Sequence, residues 1–183
     1  FIMDGNGRWG KNKNKGRNYG HLKGVETVKK IVGSSIKLKI PFITFFVFSS
    51  ENWKRPKTEI KFLFKLIKNY FHKEIDNVVK QGIKINILGE INGLPSDLKK
   101  ILIKCENLTK TNKNINVNLA INYGAKNEIL MAVKKSKKLS MKNLEKNLYT
   151  KNMPNPEILI RTGGNQRLSN FMLWQLAYTE LFF

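Results

Sequence analysis

The sequence predicts an α/β protein with a mostly parallel central sheet of about six strands and helices on both faces. Two observations carry this. Short runs rich in β-branched and aromatic residues alternate with longer segments of helical periodicity. No internal repeat and no interdomain linker interrupts the alternation, and 183 residues at 41% hydrophobic suffice for one core. Residues 1–183 are therefore expected to form a single domain. Because apolar runs stand at each terminus, Phe1-Ile2-Met3 and Leu181-Phe182-Phe183, the domain is expected to be cut short at both ends.

In chain order, Phe1–Met3 reads as the end of a buried strand, and Asp4–Gly20 as a polar, Gly-rich loop. Val25, Val28, Ile31, Val32 and Ile36 recur at helical spacing, which predicts a helix over His21–Leu38. Pro41–Phe48 is a buried strand and Ser49–Lys57 a loop. Thr58 can cap a helix running to Lys80, followed by a strand over Ile83–Leu88 and a helix over Ser96–Leu108. Strands at Ile115–Ile121, Glu157–Ile160 and Glu180–Phe183 and helices at Ala125–Leu139 and Phe171–Ala177 complete the pattern, with a short turn at Leu144–Leu148. The helix Thr58–Lys80 carries more apolar residues than one core stripe needs, so its extra width lines a cleft, meets another subunit, or is simply buried.

Lys and Arg number 34 against 13 Asp and Glu, a net charge of +21. Such a field attracts anions without saying which. The lysines are dispersed, and Lys134–Lys138 reads as a solvated face, whereas the arginines concentrate at Arg8, Arg17, Arg55, Arg161 and Arg167. No nucleic-acid motif accompanies them, so no specific nucleic-acid partner is expected. Cys105 is the only cysteine, which excludes an intrachain disulfide and fits a reducing, intracellular compartment. No apolar run approaches the ~20 residues needed to span a bilayer.

In parallel α/β sheets, ligands sit outside the carboxyl ends of the strands. Three loops should converge there. Asp4-Gly5-Asn6-Gly7-Arg8-Trp9 combines a carboxylate with glycines and a fixed positive charge, as a diphosphate and a bridging Mg²⁺ require. Ser49–Arg55 places Ser49, Glu51, Asn52, Trp53 and Arg55 just after a buried strand. Arg161–Ser169 sets Arg161, Arg167 and Ser169 around a Gly-Gly turn, as an anion site distinct from the Arg8 loop. His21 follows the first loop near a helix start, whereas His72 reads as surface.

Together these segments resemble the cis-prenyltransferases, the family of undecaprenyl and dehydrodolichyl diphosphate synthases. The matching stretches are MDGNGRW (3–9), GHLKG (20–24), FSSENWKRP (48–56), NYG (122–124), IRTGG (160–164) and RLSNFMLWQLAYTEL (167–181), in family order. The resemblance implies condensation of isopentenyl diphosphate with an allylic, farnesyl-type diphosphate into a long cis-polyprenyl diphosphate, of the kind that leads to dolichol. It implies that Asp4 holds Mg²⁺, and that Gly5, Asn6, Gly7, Arg8, Trp9, Arg17 and His21 bind the allylic diphosphate. Glu51, Trp53 and Arg55 belong to a mobile loop that positions the substrates, with Ser49 and Asn52 near the chemistry. Arg161, Arg167 and Ser169 bind isopentenyl diphosphate. Glu180 matches a carboxylate that binds metal or substrate across a homodimer interface. The growing chain would enter a hydrophobic tunnel beside the helix Thr58–Lys80.

The proton acceptor is Asn52 or a diphosphate oxygen. With Asp only at 4, 76 and 97, the Asp-rich clusters of the trans-type enzymes are excluded. The family usually has an acidic residue and, in bacterial members, a His after Gly164, where Asn165 and Gln166 stand here. A non-catalytic partner subunit of a heteromeric enzyme is the alternative, disfavoured by the presence of Asp4, Arg8 and His21. The expected location is cytoplasmic or peripheral to a membrane such as that of the endoplasmic reticulum or an organelle.

Overall fold

The computed structural model describes Phe1–Phe183. Its elements are α1 (Asn6–Asn12), α2 (Gly16–Lys37), β1 (Phe42–Ser49), α3 (Lys57–Lys80), β2 (Ile83–Leu88), α4 (Ser96–Thr109), β3 (Ile115–Tyr123), α5 (Ala125–Lys135), α6 (Met141–Glu145), β4 (Ile158–Ile160) and β5 (Glu180–Phe182). Short 3₁₀ turns follow β1 at Ser50–Lys54 and β2 at Ile91–Gly93.

The strands are parallel, in the order β1-β3-β2 in one sheet and β4-β5 in another. The expected six-stranded sheet is thus three strands plus two. What joins them is a single residue. Ile2 bridges Phe46 of β1 on one side and Arg161 beyond β4 on the other. Its N–H donates to Ile160 O at 2.9 Å and its carbonyl accepts from Thr162 N–H at 3.2 Å. One bridging residue is too short to be a strand, yet it sets Asp4 beside the Arg161 loop.

The main core lies on one face. Ile43 and Phe45 of β1, Ile85 of β2 and Ile115 and Val117 of β3 pack there against Phe64 and Phe71 of α3 and Leu98, Leu102 and Cys105 of α4. On the other face Ala120 and Tyr123 meet Phe171, Met172 and Leu176. Cys105 is a core thiol, pushed up to about 11 by burial. In α3, Ile60, Phe64, Phe71 and Val78 are buried. Leu63, Leu66 and Ile67 of its wide apolar surface line a cavity, which decides among the three readings of that surface.

Two expectations fail. Asp4–Gly20 is not a loop, because it forms α1 and the start of α2. Glycines lower helix propensity, but here they permit close packing. A Cβ on Gly20 would stand 1.8 Å from Asn6 O, and one on Gly10 would stand 2.2 Å from Gly16 O. Phe171–Ala177 is a series of turns and not a helix. Ser169, Asn170 and Met172 all have positive φ, and the backbone and side-chain oxygens of Asn170 accept from Ala125 N–H and Lys126 N–H of α5, both at 2.9 Å.

Candidate active site

Asp4 is the centre of the site. Its Oδ1 accepts from Gly5 N–H at 2.6 Å. Its Oδ2 accepts from Arg161 Nη2 at 2.9 Å and Asn165 Nδ2 at 2.7 Å, with Arg8 Nη2 at 3.5 Å. Burial pushes the Asp4 carboxyl up, but hydrogen bonds from Asn165, Arg161 and Gly5 and the Arg161 charge outweigh it, leaving a pKa of about 2. The turn that aims Asp4 needs glycine twice. Gly5 (φ 90°) and Gly163 (φ 90°) sit back to back, and a Cβ on Gly163 would lie 2.9 Å from Gly5 N. Arg8 closes the contact by donating to Gly163 O at 2.8 Å.

Arg161 is 5% exposed. Besides Asp4 it bonds Ser169 Oγ at 2.7 Å and the carbonyl of Arg167, while its buried Nε has no partner. The Arg161 loop and the Arg8 loop meet at the Asp4 carboxylate, which both guanidinium groups approach. Asn165, which departs from the family pattern, works here as a neutral donor to Asp4, and Gln166 is exposed.

A second carboxylate, Glu59 in the first turn of α3, organises the other cations. Its Oε1 lies 3.1 Å from Arg55 Nη1, 3.3 Å from Arg17 Nη2 and 3.4 Å from His21 Nε2. Burial raises the Glu59 carboxyl and Arg17 and Arg55 more than reverse this, so it stays ionised. His21 Nε2 is buried without a well-formed hydrogen bond. Burial holds its imidazole below 6.5, against the pull of Glu59. Glu59 does not stand out in the sequence because a Glu in a first helical turn reads as an ordinary response to the helix dipole.

The loop after β1 is locked by reciprocal bonds. Asn52 Oδ1 accepts from Ser49 N–H at 3.2 Å, and Ser49 caps Asn52 N–H. Glu51 accepts from Asn170 Nδ2 at 2.8 Å, joining this loop to the Arg161 segment. Burial raises the Glu51 carboxyl and the Asn170 bond lowers it further, so it too is ionised.

These groups surround a cavity of about 730 Å³. Asp4, Asn6, Arg8, His21, Arg161 and Arg167 line its polar end, joined by Ser49, Glu51, Asn52, Arg55 and Ser169. Val25 and Val28 of α2 and Leu63, Leu66 and Ile67 of α3 line its apolar end. A strongly cationic mouth over a hydrocarbon-lined cleft suits a molecule with a diphosphate head and an apolar tail.

Comparison with known proteins agrees. A family model described as "Putative undecaprenyl diphosphate synthase" matches residues 2–183. The chain belongs to this family. It is a prenyltransferase. It is 42% identical to the isoprenyl transferase of Clostridium tetani, over 100% of this chain and 76% of the relative. It is also 42% identical to that of Aquifex pyrophilus, over 100% and 81%. The lavandulyl diphosphate synthase of Lavandula x intermedia, solved with dimethylallyl diphosphate, superposes with a TM-score of 0.94 at 30% identity, covering 99% of this chain and 83% of that one. A probable undecaprenyl diphosphate synthase from Campylobacter jejuni gives 0.82 at 32% identity, covering 99% and 82%. No helix of the prenyltransferase is long and apolar enough to cross a membrane.

Six expected site residues do not line the cavity of this prenyltransferase. Gly5 shapes the Asp4 turn. Gly7 lies under the Arg17 guanidinium, where a Cβ would stand 3.1 Å from Arg17 Cζ. Arg17 turns to Glu59. Trp9 stacks on Tyr19 with ring centroids 5.9 Å apart. Trp53 packs against Phe48 and Phe64 and donates to Asn122 Oδ1 at 2.8 Å. Glu180 is exposed on β5, outside the cavity of its own chain.

Proposed function

We propose that the prenyltransferase condenses isopentenyl diphosphate with an allylic, farnesyl-type diphosphate to build a long cis-polyprenyl diphosphate. The observation that carries this reading is the cavity, with Asp4 and the arginines Arg8, Arg55, Arg161 and Arg167 at one end and α2–α3 aliphatics at the other. The Lavandula relative, solved with dimethylallyl diphosphate, supports an allylic diphosphate as one ligand. Neither His21 Nε2 nor Arg161 Nε, both buried, makes a well-formed hydrogen bond within the protein, which leaves each free to donate to a diphosphate.

The allylic diphosphate is assigned to Asn6, Arg8 and His21, with Arg17 and Arg55 held in reserve by Glu59. Isopentenyl diphosphate is assigned to Arg161, Arg167 and Ser169. The residues fit Mg²⁺. Nowhere do three His, Cys, Asp or Glu side chains gather as a ligand set, but one ionised carboxylate beside a diphosphate is a common Mg²⁺ arrangement. Asp4 would hold it, and when bound it neutralises charge on the departing diphosphate.

The allylic C–O bond breaks and the diphosphate leaves with the electron pair. The isopentenyl double bond attacks the allylic carbon, and the resulting cation loses a proton to restore a double bond. Arg8 and Asn6 take up charge on the leaving group. Asn52 Oδ1 is engaged by Ser49 N–H and an amide is not basic, so a diphosphate oxygen is assigned the proton. Glu180 is assigned to the neighbouring site of a homodimer. Incubation with farnesyl diphosphate, isopentenyl diphosphate and Mg²⁺, followed by product sizing, tests the reading. A series of products each longer by one isoprene unit is expected, and folded protein yielding none with any allylic primer would refute it.

A further inference from the structure

The connections α2–β1, α3–β2 and α4–β3 meet at the amino ends of the strands, opposite the catalytic loops. Asn116 N–H donates to Pro41 O and Asn114 N–H to Gly82 O, both at 2.9 Å, tying the three connections into one edge. That edge carries Lys37, Lys39, Lys80, Lys84, Lys110 and Lys113, with no Asp or Glu in 37–41, 79–84 or 107–114. None of the six ammonium groups has an ion-pair partner, whereas Lys23, Lys29 and Lys68 are paired elsewhere. The nearest carboxylates in sequence are one turn up the helices. They are Asp76 on α3 and Glu106 on α4, the latter committed to Ile87 N–H at 2.7 Å.

Apolar side chains stand among these lysines: Leu38 is 72% exposed, Leu108 47% and Ile40 40%. Singly, exposed leucines need no explanation, but grouped inside a carboxylate-free lysine cluster they form an amphipathic face. Helices α2 and α3 both run from the catalytic edge to this one. Their partly buried Val28, Ile31, Ile36, Leu63 and Ile67 extend an apolar seam from the cavity toward it.

We propose that this edge docks on an anionic lipid bilayer, with Leu38 and Ile40 entering the headgroup region and the lysines facing lipid phosphates. A nucleic acid would match the charge but leave the aliphatic side chains in water. A second copy of the same edge would bring like charges together.

The test is cosedimentation of the folded chain with vesicles of phosphatidylcholine alone and of equal phosphatidylcholine and phosphatidylglycerol. Binding is expected only to the mixed vesicles and to weaken as salt rises. Each surface lysine contributes about fivefold to partitioning, so combined Lys37, Lys39, Lys80 and Lys113→Gln should lower it about 100-fold or more. Leu38→Asp should also weaken it, with turnover of water-soluble substrates unchanged. A charge-matched control, Lys134, Lys135, Lys137 and Lys138→Gln, should keep most of the binding. The proposal is overturned if both lysine sets lose binding equally, if neutral vesicles bind as well, or if the edge variant binds like wild type. Loss of RNA binding but not vesicle binding in the edge variant would also overturn it. None of these outcomes depends on which prenyl product is made.

Discussion

The two ends of the sheet handle positive charge in opposite ways. At the carboxyl ends, Arg8 and Arg161 face Asp4, and Arg17 and Arg55 face Glu59. Two carboxylates thereby hold four guanidinium groups and His21, and all of these but Arg17 line the cavity. At the amino ends of β1, β2 and β3, six lysines stand on connections that carry no carboxylate, and Glu157 and Glu180 lie at the amino ends of β4 and β5. The difference is one of preorganisation. Arg presents a fixed fork that several acceptors can hold at once, whereas Lys is a mobile point charge that solvates itself. The first arrangement positions cations for chemistry, and the second leaves them free for a large anionic surface.

The sharpest break in that contrast is Asp4. Asp4→Ala is expected to lower kcat on the order of 10²–10³-fold, the size of losing one transition-state contact, with a much smaller change in allylic substrate binding. Single-turnover kinetics beside equilibrium binding separate the two, and a near-normal kcat would refute the assignment. Removing Asp4 also strips buried Arg161 of its carboxylate, so denaturant melts should show a loss of about 1–3 kcal/mol. Asp4→Asn should lose turnover with less of that destabilisation.

Arg161→Lys comes next. A lysine cannot reach Asp4, Ser169 and the Arg167 carbonyl from one planar group, so KM for isopentenyl diphosphate should rise roughly 10–100-fold, the size of a charge-assisted hydrogen bond. The KM for the allylic substrate should move less. Equal change in both would mean that the two arginine loops serve one diphosphate.

Glu59→Gln should have a smaller effect, loosening Arg17, Arg55 and His21 together and raising allylic KM about tenfold, as loss of one ion-pair contact allows. Glu59 favours the charged imidazole, so the His21 pKa should fall further, as an NMR titration would show.

Acid stability follows from the same groups. The folded His21 pKa lies below its ordinary 6.5, so the unfolded chain takes up the proton first. The His21 contribution is present above 6.5 and lost as pH falls through the folded value. That of Asp4 is present above 3.8 and lost as pH falls toward about 2. Melting temperature should therefore drop in two stages on acidification. His21→Gln should remove the upper one.

The smallest effect is expected at the other edge. Lys37 and Lys39→Gln should leave turnover in solution unchanged and move stability by no more than about 0.5 kcal/mol.

Much of this was legible in the residues themselves. Periodicity predicted most strands and helices to within a few residues, because strand and helix periods are local properties of a half-buried chain. The motif loops followed because chemistry on a diphosphate demands particular side chains, and Asp4, Arg8, Ser49, Asn52, Arg161 and Ser169 do line one cavity. Three things were decided only by the tertiary structure. Helix α1 forms in a Gly-rich stretch because Gly10 and Gly20 let it pack closely on α2, a gain that no local propensity contains. Glu59 gathers Arg17 and His21 of α2 and Arg55 of the loop after β1, and a carboxylate looks the same in sequence whether it faces water or three cations. The lysines, dispersed along the chain, divide into paired and unpaired sets only once parallel strands bring three distant connections to one edge. Residue type and spacing determine what a segment can do, while charge partners depend on distances that the chain closes only by folding.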